Sequence, residues 1–290
     1  MKKILVTGAN GFIGNFLLQE LKTVNKEIYT FSRTKIKSRN HFSGDFFDDN
    51  NFETVIKKVN PSILVHLAWE TSPNKFYTSP QNKTWSEKSI NMIDKFFAFG
   101  GEKFIFMSSC EEYGIYETKP NENSICNPAS DYGIEKNKVS KYLDKNYEKQ
   151  KWVILRNYFI CGPNEKKEKL LSYMVNQVIN NNKIILQQPN NSIDFIDVRD
   201  VVRVIKNVIE VDFCGILNVG NSMSISPLQL ANKLIDLYGS GYVEFKKITN
   251  NKANSKYIVS DNSKLINSLN FKSDYHIYDT LKDILEVNNV

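Results

Sequence analysis

Thr7-Gly8-Ala9-Asn10-Gly11-Phe12-Ile13-Gly14 sets three glycines at intervals of three, directly after the apolar run 3–7 and directly before a helical pattern over 12–21. In that setting the first glycine allows the tight turn, the second lets the backbone approach a pyrophosphate, and the third lets the helix pack on the sheet. The helix start offers unpaired amides, here from Phe12 and Ile13, and the positive end of its dipole, both suited to a phosphate. Strand, glycine loop and helix in this order predict a bound dinucleotide.

Outward from that loop the chain keeps the same rhythm. Strand-like runs fall at 3–7, 27–31, 63–68, 103–108 and 152–157, and helical patterns at 12–21, 52–59, 83–99 and 132–150. Alternating strand and helix predict an α/β, Rossmann-type, doubly wound parallel sheet. A run such as Ile63-Leu64-Val65-His66-Leu67-Ala68 is apolar almost throughout, as a strand covered on both faces requires. After Cys161-Gly162-Pro163 the pattern loosens into helices at 170–179, 201–208, 228–238 and 278–287, with short strands at 184–186 and 195–198. The expected organisation is a dinucleotide-binding core, 1–162 with a return segment about 193–220, and a smaller interleaved substrate-binding lobe, 163–192 and 221–290.

Composition narrows the classes. At 290 residues, 41% hydrophobic and 24% charged, the chain can bury a substantial core, which excludes a disordered binder. The net charge of +6 is spread among acidic and asparagine residues, so it reads as a compositional bias and no nucleic-acid partner is expected. Four cysteines without a CxxC pair and three histidines give no metal-ligand pattern, so no metal is expected and a reducing cytoplasm fits. The start, Met1 to Gly8, has too short an apolar run for a signal-peptide core, and no segment reaches membrane-spanning length.

At the end of the second strand, where an NAD enzyme carries an acid for the ribose hydroxyls, stand Ser32 and Arg33. An arginine there can pair with a 2′-phosphate and a carboxylate would repel it, so NADP(H) is favoured over NAD(H). A solvated loop cation within the basic run 33–39 is the alternative reading of Arg33. For catalysis, a tyrosine four residues before a lysine puts both on one helical face. Four such pairs occur: Tyr132/Lys136, Tyr147/Lys151, Tyr242/Lys246 and Tyr278/Lys282. Only Tyr132 opens a helix after the loop that follows a strand ending in Ser108 and Ser109, at the carboxyl edge where such sheets place their chemistry.

Taken together, the glycine loop, His66 to Trp69, Ser108 to Gly114, Tyr132 to Lys136, Leu155 to Pro163 and Asp194 to Val202 have the order and spacing of the extended short-chain dehydrogenase/reductases. That family comprises NAD(P)-dependent epimerases, dehydratases and reductases of nucleotide sugars, and the resemblance covers most of the chain. It implies Tyr132 as general acid/base, Lys136 lowering the tyrosine pKa and holding the nicotinamide ribose, and Ser109 hydrogen-bonding the substrate oxygen. By the same resemblance Gly8, Gly11, Phe12, Ile13, Gly14, Ser32, Arg33, Asp45, Leu67 and Ala68 border the cofactor. Trp69, Cys110, Glu111, Asn157, Asn164 and Phe195 border the substrate, with a plain core role equally open for Phe195. A homodimer through a four-helix bundle of the helices at 83–99 and 132–150 is implied as well.

Three departures narrow the chemistry. Dehydratases of the family carry an Asp-Glu pair after the catalytic hydroxyl, where this chain has Cys110 and Glu111. Position 193 holds Ile193 in place of a diphosphate-clamping arginine, and Lys256 before Asp261 is a stand-in for a later one. The reading that follows is an NADPH-dependent reduction of a nucleotide-linked 4-keto-(6-deoxy)sugar, with Tyr132 as acid, in the making of a cell-surface sugar. The alternatives are an NAD-dependent nucleotide-sugar epimerase of the same fold and a non-catalytic NADP(H)-binding regulator.

Overall fold

The computed structural model describes residues 2–73, 75–148, 151–245 and 256–288. Its first half alternates strand and helix: β1 (Lys3–Thr7), α1 (Phe12–Glu20), β2 (Glu27–Ser32), β3 (His41–Ser43), α2 (Asp49–Val59), β4 (Ile63–His66), α3 (Gln81–Ala98), β5 (Lys103–Ser109), α4 (Asp131–Asn146) and β6 (Trp152–Asn157). There follow β7 (Phe159–Cys161), α5 (Leu170–Ile179), β8 (Ile184–Leu186), β9 (Ser192–Ile193), β10 (Phe195–Asp197), α6 (Val198–Glu210) and β11 (Gly215–Val219). The last part holds α7 (Pro227–Tyr238), β12 (Val243–Phe245), β13 (Tyr257–Ile258), α8 (Ser263–Leu269) and α9 (Ile277–Asn288).

Seven strands form one sheet in the order β11-β6-β5-β4-β1-β2-β3, parallel from β6 through β3. Ile4, Leu5 and Val6 of β1 and Ile63 to Val65 of β4 are buried, because helices cover both faces. The chain runs from β1 outward to β2 and β3, then returns to β4 on the other side of β1. That reversal opens a crevice at the carboxyl ends of β1 and β4, where folds of this kind bind their ligands. Two of these strands were not foreseen. β3 has three residues, all at least partly exposed, and β11 mixes Gly215 and Asn218 with its apolar residues, so neither carries a clear periodic pattern.

The chain divides into two compact units: Met1–Gly114, Ile125–Asn157 and Val202–Leu217 in the first, Ile115–Ser124, Tyr158–Val201 and Asn218–Val290 in the second. Against the expected core of 1–162 with a return segment about 193–220, the return segment is Val202–Leu217, and two pieces of 1–162 leave the first unit. Residues 158–162 leave the first unit because β7 pairs with β10. Residues 115–124 leave it because the Asn218 amide donates to Glu122 at 2.8 Å and its side chain donates to the Pro120 carbonyl at 2.9 Å. The expected helix over 132–150 ends at Asn146, and residues 149 and 150 lie outside the described residues.

In the first unit, Phe31, Phe52, Ile93, Phe104 and Trp152 belong to a continuous apolar core. In the second, Met174, Val175, Leu230, Leu234 and Leu281 bring α5, α7 and α9 together. The second unit is also pinned by Asp194, fully buried between β9 and β10. Its carboxylate accepts from the backbone amides of Asn221 at 2.9 Å, Ser222 at 2.9 Å and Ser260 at 3.1 Å, and from the Ser260 hydroxyl. Burial raises the Asp194 pKa and these donors oppose the rise. A side-chain amide cannot accept from four donors, so Asp194→Asn should lower the urea unfolding free energy by about 3 kcal/mol. A loss under about 1 kcal/mol would mean that the carboxylate does not organise these loops.

Candidate active site

The glycine loop joins β1 to α1 at the carboxyl edge of the sheet. Gly8 has a φ of 69°, and a Cβ built there would lie 2.7 Å from the Ala68 backbone nitrogen. A Cβ on Gly14 would lie 2.5 Å from the carbonyl oxygens of Gly8 and Ala9. Backbone therefore meets backbone at both positions, and only glycine fits. Gly11 caps α1 in extended conformation, so the amides of Phe12 and Ile13 in the first turn have no intrahelical acceptor. This cradle fits a dinucleotide pyrophosphate. Asn10 donates to the Ser32 hydroxyl at 2.7 Å, tying the loop to the end of β2. Beyond Ser32, Arg33 stands exposed, and the next acid, Asp45, is exposed after β3 with one carboxylate oxygen accepting from the Phe47 amide at 3.0 Å.

Under this loop lies His66, the last residue of β4, which is 1% exposed. The Ser89 hydroxyl donates to the Trp85 carbonyl at 2.7 Å, so it receives the His66 Nε2 proton at 2.9 Å. Nδ1 is then the acceptor for the Thr7 hydroxyl at 2.7 Å. Burial holds the imidazole well below its ordinary pKa, and the Lys136 charge pushes the same way. Leu67 and Ala68 continue from it, with the Leu67 amide donating to the Thr7 carbonyl at 3.2 Å.

On the other side of β4 sit the proton-handling groups. Ser130 caps α4, accepting from the Gly133 amide at 3.1 Å, and so sets where Tyr132 enters the site. The Tyr132 ring meets Phe76 edge-on at 5.0 Å, Tyr77 at 6.2 Å and Trp69 at 6.3 Å between centres. Burial raises the Tyr132 pKa, a hydrogen bond with Ser109 opposes that, and the charges of Cys110, Glu111 and Glu112 add to the rise. One turn along, Lys136 is 3% exposed and donates to the Met107 carbonyl at 2.7 Å. Burial pushes its ammonium down to about 7, while the Glu112 charge holds it up. Ser109, Tyr132 and Lys136 are thus brought together in one unit, as a general acid, its neighbouring cation and a hydroxyl donor would be.

Beneath them is a polar cluster that sequence reasoning missed. Glu112 has no exposed surface, and accepts from Ser108, from Ser140 at 2.6 Å and from Arg156 Nε at 2.9 Å. The signal was present: an arginine inside Trp152-Val153-Ile154-Leu155-Arg156-Asn157, a strand buried at every residue, demands a carboxylate partner. Phe76, Tyr77 and Asn82 were missed too, having no motif of their own.

The other expected substrate residues fall in both units. Trp69 and Cys110 are buried beside Tyr132, and Glu111 accepts from Ser130 at 3.2 Å. Asn157 is buried, donates to the Leu155 carbonyl at 2.9 Å and leaves its Oδ1 without a partner. In the second unit, Asn164 is exposed with a φ of 65°, and Phe195 is in the apolar core, edge-on to Phe159 at 5.9 Å. Ile193 is buried in β9 and the Lys256 amide donates to Asn191 at 3.0 Å. Of the other tyrosine–lysine pairs, Tyr147 donates to Asp94 at 2.6 Å, Lys246 lies outside the described residues, and Lys282 is exposed on α9. Among the described residues no helix is long and apolar enough to cross a membrane, and no cluster of three or more His, Cys, Asp or Glu could hold a metal.

Comparison with known proteins matches residues 4–220 to the NAD dependent epimerase/dehydratase family. A dTDP-D-glucose 4,6-dehydratase of Dictyostelium discoideum is 25% identical over 82% of this chain, which spans 62% of that protein's length. A GDP-6-deoxy-D-talose 4-dehydrogenase of Aggregatibacter actinomycetemcomitans is 26% identical over 98% of this chain and 96% of its own. The solved UDP-N-acetylglucosamine 4-epimerase of Methanobrevibacter ruminantium has a TM-score of 0.87 at 21% identity, covering 99% of this chain and 98% of its own, and so shares the fold.

Because His66 stays neutral when folded, the unfolded chain alone takes up a proton near the ordinary histidine pKa, about 6.5. The stability that this site supplies is complete above that pH and is lost as pH falls toward the depressed native value, by about 1.4 kcal/mol per pH unit. Urea midpoints between about pH 7 and 5 should fall more steeply for the wild type than for His66→Gln. Parallel slopes would refute a buried neutral His66.

Proposed function

The chain belongs to the NAD dependent epimerase/dehydratase family, and on that premise we propose that it is an NADPH-dependent reductase of a nucleotide-linked 4-keto-(6-deoxy)sugar. Its activity as a nicotinamide-dependent enzyme of nucleotide sugars follows from the family and from relatives across nearly its whole length. The direction, the cofactor and the residue roles are the proposal. One observation supports it: Tyr132 shares a face of α4 with the buried Lys136, whose Nζ is 5.8 Å from its ring centre, and burial with the negative neighbours Cys110, Glu111 and Glu112 favours a phenol that begins as an acid.

The bound nicotinamide would supply hydride to the carbonyl carbon. Tyr132 then gives its proton to the carbonyl oxygen, and Ser109 donates a hydrogen bond to that oxygen as charge builds on it. Lys136, anchored on the Met107 carbonyl, keeps positive charge close to Tyr132 and so eases loss of the phenolic proton. The amides of Phe12 and Ile13 and the cradle of Gly8, Gly11 and Gly14 would hold the pyrophosphate. Arg33, exposed beyond an acid-free β2 end, would meet the 2′-phosphate, with Ser32 beside it. Leu67 and Ala68 at the end of β4, and Asp45 after β3, are proposed to border the same cofactor. Oxidation at C4, the activity named for the Aggregatibacter relative, is the reverse of the proposed reduction.

Dehydration is disfavoured because Cys110, a poor acid, occupies the position next to Glu111. The proposed substrate neighbours are Cys110, Glu111 and Asn157 from the first unit and Asn164 from the second; Trp69 instead faces Lys136, and Phe195 belongs to the apolar core of the second unit. We also propose a cytoplasmic homodimer through α3 and α4, since α4 leaves Ile134 45% exposed.

Tyr132→Phe should lower turnover of a keto-sugar nucleotide by about 100- to 10,000-fold with NADPH binding unchanged. Retained turnover would exclude the acid role. In direct binding, Arg33→Ala should weaken NADPH about tenfold or more and leave NADH unaffected. Tightly copurifying NAD, indifferent to Arg33, would instead identify an epimerase. Light scattering should give twice the monomer mass at micromolar concentration, and a monomer there would remove the dimer.

A further inference from the structure

Lys136 sits in an unusual seat. Its Nζ is 3.9 Å from the centre of the Trp69 ring, 4.7 Å from that of Phe106 and 5.8 Å from that of Tyr132. The indole is itself fixed: Nε1 donates to Asn82 Oδ1 at 2.9 Å, and Asn82 Nδ2 donates to the Phe76 carbonyl at 2.6 Å. Trp69 also stacks on Trp85 at 6.1 Å, so its face cannot swing away. At 9% exposure it offers little surface to a substrate, and its main contact with the chemistry is through the lysine.

We propose that Trp69 is a positioning residue whose indole face holds the Lys136 ammonium beside Tyr132 through a cation–π contact. This inference rests on the reading of Tyr132 and Lys136 as the acid/base pair. An ammonium within about 6 Å of an indole centre is attracted by the ring's negative face, most strongly where water is excluded. The titratable groups around the lysine come from several elements. His66 ends β4 and is neutral, and Tyr132 shares α4. Cys110, Glu111 and Glu112 follow β5, and Glu112 is paired with Arg156 of β6. Tyr77 adjoins Tyr132, and α3 contributes Asn82 and Ser89, which do not titrate. The attraction of the indole therefore acts together with the single buried carboxylate of Glu112 against the cost of burying the amine.

The test follows the amine itself, without needing the substrate. In the full chain labelled with ¹³Cε-lysine, the resonance that vanishes in Lys136→Met should titrate near 7. Its midpoint should fall by a few tenths of a unit in Trp69→Phe, and by about 0.5 to 1.5 units in Trp69→Leu. A Trp69 that merely excluded water would give the opposite sign, because opening the site rehydrates the ammonium and raises the midpoint. An unchanged or raised midpoint overturns the proposal. Trp69→Phe, which keeps an aromatic face beside the lysine, decides the matter if Trp69→Leu does not fold. Turnover of Tyr132→Phe, measured alongside, separates the two claims. Insensitivity of the lysine to Trp69 in an enzyme that needs Tyr132 removes the seat alone. A Trp69-dependent lysine in an enzyme indifferent to Tyr132 removes the acid/base reading alone.

Discussion

A carboxylate with no exposed surface must have its charge and its lone pairs met from within, and Glu112 imposes that requirement on the whole catalytic end of the first unit. Arg156 supplies the charge from β6, Ser140 a hydroxyl from α4, and Ser108 another from the end of β5. Three elements are thereby fixed to one point. The residues read as catalytic are their immediate neighbours: Ser109 follows Ser108, and Lys136 precedes Ser140 by one turn of α4. Satisfying one buried carboxylate thus fixes where Ser109 and Lys136 stand. Removing one partner of such a pair costs far more than the pair itself contributes, which makes the arrangement intolerant of drift.

Much of this architecture was legible in the sequence, and the legible parts have a common physical cause. Strands buried on both faces must be apolar throughout, so β1, β4 and β6 announced themselves, as did the glycine loop, whose close backbone contacts exclude any Cβ. β3 escaped notice because it has three residues, none of them buried, and β11 because Gly215 and Asn218 interrupt its apolar residues. The unit boundaries escaped for a related reason. Segment 115–124 contains no periodic pattern, and its membership is set by hydrogen bonds to Asn218, nearly a hundred residues away.

The site divides in the same way. Tyr132, Lys136 and Ser109 could be chosen from four candidate tyrosine–lysine pairs because the strand and loop context is local. Glu112, Asn82 and the aromatic neighbours Phe76 and Tyr77 could not, because their significance lies in what they touch across the fold. Trp69 was singled out for the substrate, yet the structure turns its face toward Lys136. A sequence motif identifies which residue type is present, but burial and orientation decide which neighbour it serves.

On the proposed reading, the charges of the site suit a tyrosine that begins as an acid. His66 is locked neutral by Thr7 and Ser89, so it adds no positive charge near Tyr132. Burial, Cys110, Glu111 and Glu112 all resist ionisation of the phenol, Ser109 opposes them, and the Lys136 Nζ stands 5.8 Å from the centre of the ring. A tyrosine in these surroundings begins its cycle protonated and gives up its proton only as a carbonyl oxygen gains charge, the order of events in reduction. Oxidation would need the phenolate first, which burial and these negative neighbours disfavour and an added positive charge would favour. A bound oxidised nicotinamide carries such a charge and a reduced one does not. On the proposed reading these surroundings suit a reduced cofactor, and an Arg33 beyond an acid-free β2 end suits NADPH.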